Sequence, residues 1–505
     1  MQRFPAFLLL CLFFLFGADT YAQVSNLPRG FAPKEKSFIR RYLYSRTKNT
    51  GGISTPPEFP VRTMAEWEEI EYLVVAWVQY APTLREIIRY GREECKVIVL
   101  CPDTTGVRTY LKAGNVSCEG VTLLPASVNS VWIRDYGAET VYARGVDSLF
   151  ILDWIYNRPR PDDDMVPSIL SKYLSKSLFT TSKPPFDLVQ TGGNFMTDGM
   201  GTAFSSKLVL EENAEEGRFN LSSKTESEVN EVVRRFMGIN RYIKMDVLPY
   251  DGIHHIDMHM KLLNEETLLV GQYPPGVADG PQIEENLNYI LSGFSSGFGF
   301  PYDLLRIPMP SQHGEYPDSW WASYLTYTNA VFVNKTVLVP VYDIPTDSTA
   351  LRIYRQALPG YRVVGINCNQ IIRSGGALHC ITRGIGVNDP LLIQHRRVRD
   401  RYATYMPCQV NATIQHKSGI NNAQVYFSTD TTLGFQPLEM YASIPEQNIW
   451  TAFIPPFPPG TTVYYYITAE ANSGKTISRP ITAPTGRWKF QIISRPDPTH
   501  DPAIR

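Results

Sequence analysis

Four short patches hold residue types able to do chemistry. In Gly375-Gly376-Ala377-Leu378-His379-Cys380-Ile381-Thr382 a cysteine follows a double-glycine turn and has a histidine beside it, as an exposed nucleophile would. A buried structural cysteine fits the same string. In His254-His255-Ile256-Asp257-Met258-His259, strand geometry would put His255, Asp257 and His259 on one face. That face reads either as a zinc or iron site or as a general acid/base histidine beside a carboxylate. A buried polar strand without function is disfavoured, because unpaired groups of this kind are costly to bury. Trp132-Ile133-Arg134-Asp135-Tyr136 taken alone is an ordinary structural ion pair. The glycines of Gly192-Gly193-Asn194 and Thr197-Asp198-Gly199-Met200-Gly201 mark tight turns or close backbone approach. They lack the Lys-Ser/Thr of a phosphate loop, which argues against nucleotide binding.

Together the patches suit one substrate group, a guanidinium. Two carboxylates can grip its N–H edges bidentately. A thiolate can attack the central carbon, and a histidine can protonate departing ammonia and then deprotonate a water. A cationic substrate and a nearby histidine both favour the thiolate. As they stand here, WIRDYG, TGGNFMTDG, HHIDM, SYLTYTN and GGALHCIT resemble, in this order and over residues 57 to about 400, the guanidine-modifying pentein superfamily. The likeness is strongest to the Porphyromonas-type peptidylarginine deiminases and the related agmatine deiminases. The resemblance implies a five-bladed, pseudo-symmetric α/β propeller. It implies Asp135 and Asp257 as guanidinium holders, His255 as acid/base and Cys380 as nucleophile. Trp132 would pack along the substrate stem, Ile253 and Asn329 would line the site, and neither a cofactor nor a metal would be needed.

Tyr156-Asn157-Arg158-Pro159-Arg160-Pro161 looks like the segment with which secreted members bind the free carboxylate of a C-terminal arginine. Two arginine forks on a proline-stiffened strand suit such a clamp; the plain alternative is that Arg158 and Arg160 pair with Asp162, Asp163 and Asp164. Agmatine has no carboxylate to clamp. The implied substrates are therefore peptides or proteins with arginine, C-terminal arginine preferred, with agmatine or another small guanidine as the second reading and a metal-dependent hydrolase built on His255, Asp257 and His259 as the third. Gly252 and His254 stand where the best-known peptidyl enzyme of the family has tyrosine and asparagine; Gly252 would widen the pocket beside the substrate backbone and His254 would add a charge there.

The elements that must position these residues alternate between strand and helix. Residues 72–78 and 96–100 read as buried strands around a helix face of Leu84, Ile87 and Ile88. The helix with Leu351, Ile353, Tyr354 and Leu358 leads into a strand at 361–366, a hint of internal repetition. Thr225 with Glu228 forms a capping box for a helix that stops at Gly238. From residue 403 to 493 only short strands with turn signals occur, the pattern of an immunoglobulin-like β-sandwich. The expected organisation is a signal peptide at 1–22, a loosely ordered leader or pro-segment at 23–55, a catalytic domain at 56–402, the sandwich at 403–493 and a tail at 494–505. Arg3, the apolar run from Ala6 to Gly17 and Ala22 make the signal reading; a membrane span needs roughly 20 apolar residues. Periplasmic or secreted residence follows as an expectation, with no membrane insertion after signal removal. A net charge of -1 gives no reason to expect nucleic acid. Cys95, Cys101 and Cys118 lie close enough in sequence for two of them to pair, and no CxxC motif occurs.

Overall fold

One unit is built five times between residues 61 and 386: an antiparallel strand pair, a helix, and a third strand parallel to the second. The computed structural model describes residues 27–37, 39, 42, 51–214, 221–319, 322 and 324–494. In the second unit Glu139–Ala143 pairs antiparallel with Ser148–Asp153, and helix Val166–Leu174 carries the chain to the parallel strand Leu178–Thr180. The third unit is Met196–Thr197, Thr202–Ser206, helix Glu226–Met237 and Arg241–Met245. The fourth is Met260–Asn264, Thr267–Gln272, helix Gly280–Gly293 and Asp303–Pro308. The fifth is Val331–Val333, Thr336–Val341, helix Thr346–Ala357 and Arg362–Asn367. The first unit, Ile70–Ala76, helix Ala81–Gly91 and Lys96–Cys101, takes its outer strand, Arg383–Gly386, from the far end of the region. Val61–Thr63 and Val121–Pro125 extend two of the sheets.

Local sequence explains the elements. Val97, Ile98, Val99, Leu100 and Cys101 form a continuous apolar run buried throughout, as a strand covered on both faces requires. Helix Ala81–Gly91 turns Leu84, Ile87 and Ile88 inward. Helix Glu226–Met237 has its reciprocal Thr225–Glu228 capping box and ends on Gly238 at φ 72°. The repetition is thus fivefold, more than the two copies legible in the sequence.

The chain changes character earlier than residue 403. Leu392–Gln394 already pairs with Cys408–Gln415, and Arg401–Tyr402 with Trp488–Ile493. These strands are too short, and too close to the run of Arg396, Arg397 and Arg399, to show alternation. Two sheets enclose a separate core that includes Val410, Ile414, Val425, Val463, Tyr465 and Phe490. Ion pairs tie this all-β part to the α/β part: Arg399 to Glu266 at 2.8 Å and Asp303 at 2.7 Å, Arg479 to Glu265 at 2.9 Å, and Lys475 to Glu69 at 2.6 Å.

Cys95, Cys101, Cys118, Cys368, Cys380 and Cys408 are all free thiols. Cys95 precedes strand Lys96–Cys101 and Cys101 ends it, and the strand, at ~3.3 Å per residue, holds them too far apart to bridge. Among the described residues no helix is long and apolar enough to cross a membrane. The expected signal peptide lies outside the described residues, as does all but the first residue of the expected tail.

Candidate active site

The turn leading into the outer strand of each unit delivers one part of the site. Helix Ile133–Tyr136, before Glu139–Ala143, carries Asp135, with Trp132 at its N-cap. The 3-10 turn Gly192–Asn194 precedes Met196–Thr197 and carries Gly193. The 3-10 turn Ile256–Met258 carries Asp257, with His255 at its N-cap. Asn329 stands just before Val331–Val333, and the 3-10 turn His379–Ile381 presents Cys380 just before Arg383–Gly386. The five turns meet. The Gly193 N–H donates to Asp135 Oδ1 at 3.2 Å, and His255 Nδ1 lies 3.5 Å from the same oxygen. Cys380 Sγ lies 3.7 Å from Asp257 Oδ2 and 3.3 Å from Asn329 Oδ1.

The space between the two carboxylates is filled by a guanidinium of the chain itself, that of Arg29. Its Nε and Nη2 donate to Asp135 at 3.1 and 3.2 Å, and its Nη1 and Nη2 donate to Asp257 at 3.1 and 3.0 Å. Four of the five N–H bonds that a guanidinium can offer are used. Burial opposes charge on all three groups, yet the pairing wins: Asp135 and Asp257 are held below the usual carboxylate range, and Arg29 is held well above its own. The Cys380 thiol is pushed well up by burial; the Arg29 cation lowers it and both carboxylates raise it. His255 is depressed to about 3 by burial and then by the Arg29 cation, so it is neutral in this state. Its Nε2 shares a hydrogen bond with Thr191 Oγ1 at 3.1 Å.

A second ring of polar contacts fixes the first. His379 Nδ1 meets Asp257 Oδ2 at 2.8 Å, and its Nε2 meets Glu66. Glu66 in turn pairs with Lys261 at 2.6 Å and Arg134 at 3.2 Å. The Asn329 amide donates to the Asp257 carbonyl at 3.3 Å and accepts from the His379 N–H at 2.9 Å, tying the turn of Asp257 to that of Cys380. Two glycines leave the room required. A Cβ on Gly193 would lie 1.7 Å from Arg29 Nη2 and 2.8 Å from His255 Nδ1, and one on Gly376 would lie 2.7 Å from Cys380 Sγ.

Asp135, His255, Asp257, Cys380 and Asn329 are therefore brought together, with Asn329 acting on the backbone of the turns as well as on the sulfur. Trp132 is fully buried, and its indole N–H donates to the Leu27 carbonyl at 2.9 Å. Ile253 and Arg29 Cβ both approach Gly375. Arg158 Nε donates to the Arg29 carbonyl at 3.3 Å, and its guanidinium lies 4.1 Å from the centre of the Phe31 ring. Arg160 binds the Glu35 carboxylate at 2.8 and 3.2 Å and the carbonyls of Pro28 and Gly30 at 2.7 and 3.0 Å. Neither arginine uses the following aspartates as its hydrogen-bonded partner; Asp163 is held by Ser130 and Asn129.

Two expectations are corrected. The segment from His255 to His259 is not a strand: the chain turns at Ile256–Met258 and the strand starts at Met260. His259 consequently does not share a face with His255 and Asp257, and among the described residues no three His, Cys, Asp or Glu side chains gather as metal ligands. The leader is not loose where it is described: Arg29 is 1% exposed and Glu35 is 6% exposed. The pull on a buried cation from two buried carboxylates is the physical reason. Sequence reasoning missed Arg29, Thr191 and the Glu66–His379 link; a cation opposite two convergent carboxylates was the signal available for the first.

Comparisons with known proteins cover the α/β part of the chain. A sequence profile of the Porphyromonas-type peptidyl-arginine deiminase family matches residues 58–385 and stops before the all-β part. A candidate agmatine deiminase of Streptomyces avermitilis is 23% identical over 358 residues, 66% of this chain and 99% of that one. Another from Legionella pneumophila is 22% identical, over 65% of this chain and 96% of its own. The crystal structure of a candidate peptidyl-arginine deiminase superposes with TM-score 0.56 at 23% identity, over 65% of this chain and 99% of that one. A substrate-bound agmatine deiminase of C. jejuni gives TM-score 0.54 at 20% identity, over 65% and 97%. The class follows: this is a guanidine-modifying deiminase of pentein-type α/β fold, a hydrolase acting on amidine C–N bonds. Within that class the chain belongs to the Porphyromonas-type peptidyl-arginine deiminase family.

Proposed function

We propose that the protein converts the arginine of peptides, C-terminal arginine by preference, to citrulline and ammonia. The observation that carries this reading is the guanidinium of Arg29, bracketed by Asp135 and Asp257 beside Cys380, while Arg158 holds the carbonyl of that same arginine. In a C-terminal arginine that carbonyl position belongs to the carboxylate. Agmatine offers nothing there, so its deimination would leave Arg158 idle. It remains the second reading because the curated relatives carry that name.

In this mechanism Asp135 and Asp257 fix the guanidinium, and the Cys380 thiolate adds to its central carbon. His255 lies next to the nitrogen that leaves, since one point of space is 1.7 Å from Arg29 Nη2 and 2.8 Å from His255 Nδ1. Neutral at rest, it takes the proton that the Cys380 thiol gives up and passes it to departing ammonia, then takes one from the water that attacks the S-alkylthiouronium; as the C–S bond breaks, the two protons of that water go to the sulfur and to ammonia, leaving citrulline, ammonium and the thiol. The substrate's own cation lowers the Cys380 pKa, so the nucleophile is activated by what it attacks. Five sheets of one plan, the first closed by the last strand, support a five-bladed propeller, and the two-sheet C-terminal part supports the immunoglobulin-like reading. We place the working site outside the cytoplasm, on the signal-like residues 1–22.

The test is citrulline and ammonia release, with chelator present, from a peptide ending in arginine, the same peptide amidated, and agmatine. Turnover of the free-carboxylate peptide that falls on amidation and vanishes in Cys380→Ser is expected. Turnover of agmatine alone would transfer the assignment to the second reading, and activity surviving Cys380→Ser would end the mechanism.

A further inference from the structure

We propose that Arg29 is the enzyme's first substrate: its self-deimination releases an N-terminal strap that occludes the site. The inference rests on the deiminase reading above and goes beyond it, because it names a modification site and an internal arginine as acceptable substrate.

The strap is seated along its backbone as a bound peptide would be. The Leu27 carbonyl takes the Trp132 indole, and the Arg29 N–H donates to the Ser374 carbonyl at 2.9 Å. Arg158 takes the Arg29 carbonyl, and Arg160 takes the carbonyls on either side of it and the carboxylate of Glu35. The two arginines expected to clamp a substrate carboxylate thus hold a continuous chain in which arginine has a residue on each side. The site therefore accommodates an internal Pro28-Arg29-Gly30 sequence. Nothing in this arrangement protects Arg29 from the reaction. Its guanidinium uses both carboxylates, its charge acts directly on Cys380 and His255, and its side chain is fully buried. A permanent plug would need a cation without an amidine carbon, which lysine would supply and arginine does not.

The chemistry balances without any further reactant. The C–S bond forms at the guanidinium carbon as one C–N bond breaks, and the proton of the Cys380 thiol passes by way of His255 to the nitrogen, which leaves as ammonia. Water then replaces sulfur, giving citrulline at position 29, ammonium and the original thiol. The product is neutral. Both Asp135 and Asp257 lose their ion pair inside a buried site, and an unpaired buried carboxylate is strongly disfavoured. Water entry and strap departure follow, which opens the site to peptides.

The experiment follows the purified full chain by mass spectrometry of the peptide containing residue 29, alongside citrulline release from an added arginine-terminated peptide. Citrulline at position 29 is expected in the native chain, at a rate independent of protein concentration, and arginine is expected to persist there in Cys380→Ser. Arg29→Lys keeps the charge but cannot be converted, so its initial rate on added peptide should fall roughly tenfold or more, because only the open fraction can bind. Arg29→Gln should act at once, without the lag of the native chain. If added peptide is turned over while Arg29 stays unmodified, the inference is overturned and the deiminase reading stands. If neither is converted, both fall.

Discussion

Replacing Gly193 with alanine tests whether a substrate guanidinium lies where that of Arg29 does. The added Cβ would stand 1.7 Å from Nη2, against 3.4 Å or more for ordinary contact, so the guanidinium would have to retreat by about 1.7 Å or more. It has nowhere to go, since Asp135 and Asp257 hold its edges and both carboxylates are buried. A misplacement of about 1 Å costs on the order of 10²-fold, so kcat/KM for an arginine-terminated peptide should drop at least ~100-fold, about 2.7 kcal/mol of transition-state stabilisation. Without an arginine in place the nearest atoms to the same Cβ are His255 Nδ1 at 2.8 Å and Asp135 Oδ1 at 2.9 Å, both on side chains, and shifts of a few tenths of an ångström relieve those contacts. The folded state should lose about 1 kcal/mol. The assay pairs steady-state kinetics with a thermal melt. A Gly193→Ala enzyme that keeps kcat/KM within about threefold of the native value would refute the assignment of this space to the substrate.

Two further outcomes are expected. Asn329→Ala removes the amide that bridges the Asp257 carbonyl and the His379 N–H, which keep only the Thr328 hydroxyl and the backbone carbonyl of residue 329 as partners, so it should cost about 1 kcal/mol of stability; because it loosens the turn of Cys380, kcat should fall more than KM rises, and an unchanged kcat would show that the amide only packs. In the all-β part His395 is depressed to about 4, by burial first, between the Asn411 carbonyl and the Tyr465 hydroxyl. The unfolded chain takes up this proton below about pH 6.5 and the folded chain only near 4, so the stabilising contribution is complete above 6.5 and is lost as pH falls through that window. Between pH 6.5 and 5 the native chain should therefore lose about 2 kcal/mol more than His395→Gln in urea unfolding followed on the all-β part; parallel pH slopes would contradict the burial account.

The site was legible in sequence where chemistry is carried by short strings that precede a strand. WIRDYG, TGGN, HHIDM, YTN and GGALHC each sit on a lead-in turn, one per unit: the first four lead into the second to fifth units in order, and GGALHC, last in sequence, leads into the outer strand of the first. Directions within a string were less legible. His255 and Asp257 both reach the site, but through a 3-10 turn and not an alternating strand, so extrapolation to His259 failed. Repetition was visible in two units and not in five because the helices share no residue pattern: Gly280–Gly293 has glycine at both ends, and Val166–Leu174 follows a proline-rich approach. Arg29 was illegible because nothing local separates it from the neighbouring Arg40 and Arg41; what selects it is the field of Asp135 and Asp257, which lie more than a hundred residues away.

That field also links catalysis to occlusion. Burial and the two carboxylates all oppose charge on Cys380, and among the groups acting on the sulfur the Arg29 cation opposes them. A site holding only water therefore keeps the thiol protonated and inert, whereas a site holding a guanidinium shifts it toward thiolate. The same cation also keeps His255 neutral. As positive charge is lost from the guanidinium, the cationic share of the His255 depression weakens while burial persists, so His255 gains affinity for the proton that it relays to ammonia. A lysine in the strap would also bring a cation to the two carboxylates, with fewer N–H donors, yet offer no carbon to attack. Under the proposed self-deimination, an arginine in the strap satisfies the buried carboxylates with the cation that the reaction consumes, and the occluded state lasts only until the first turnover.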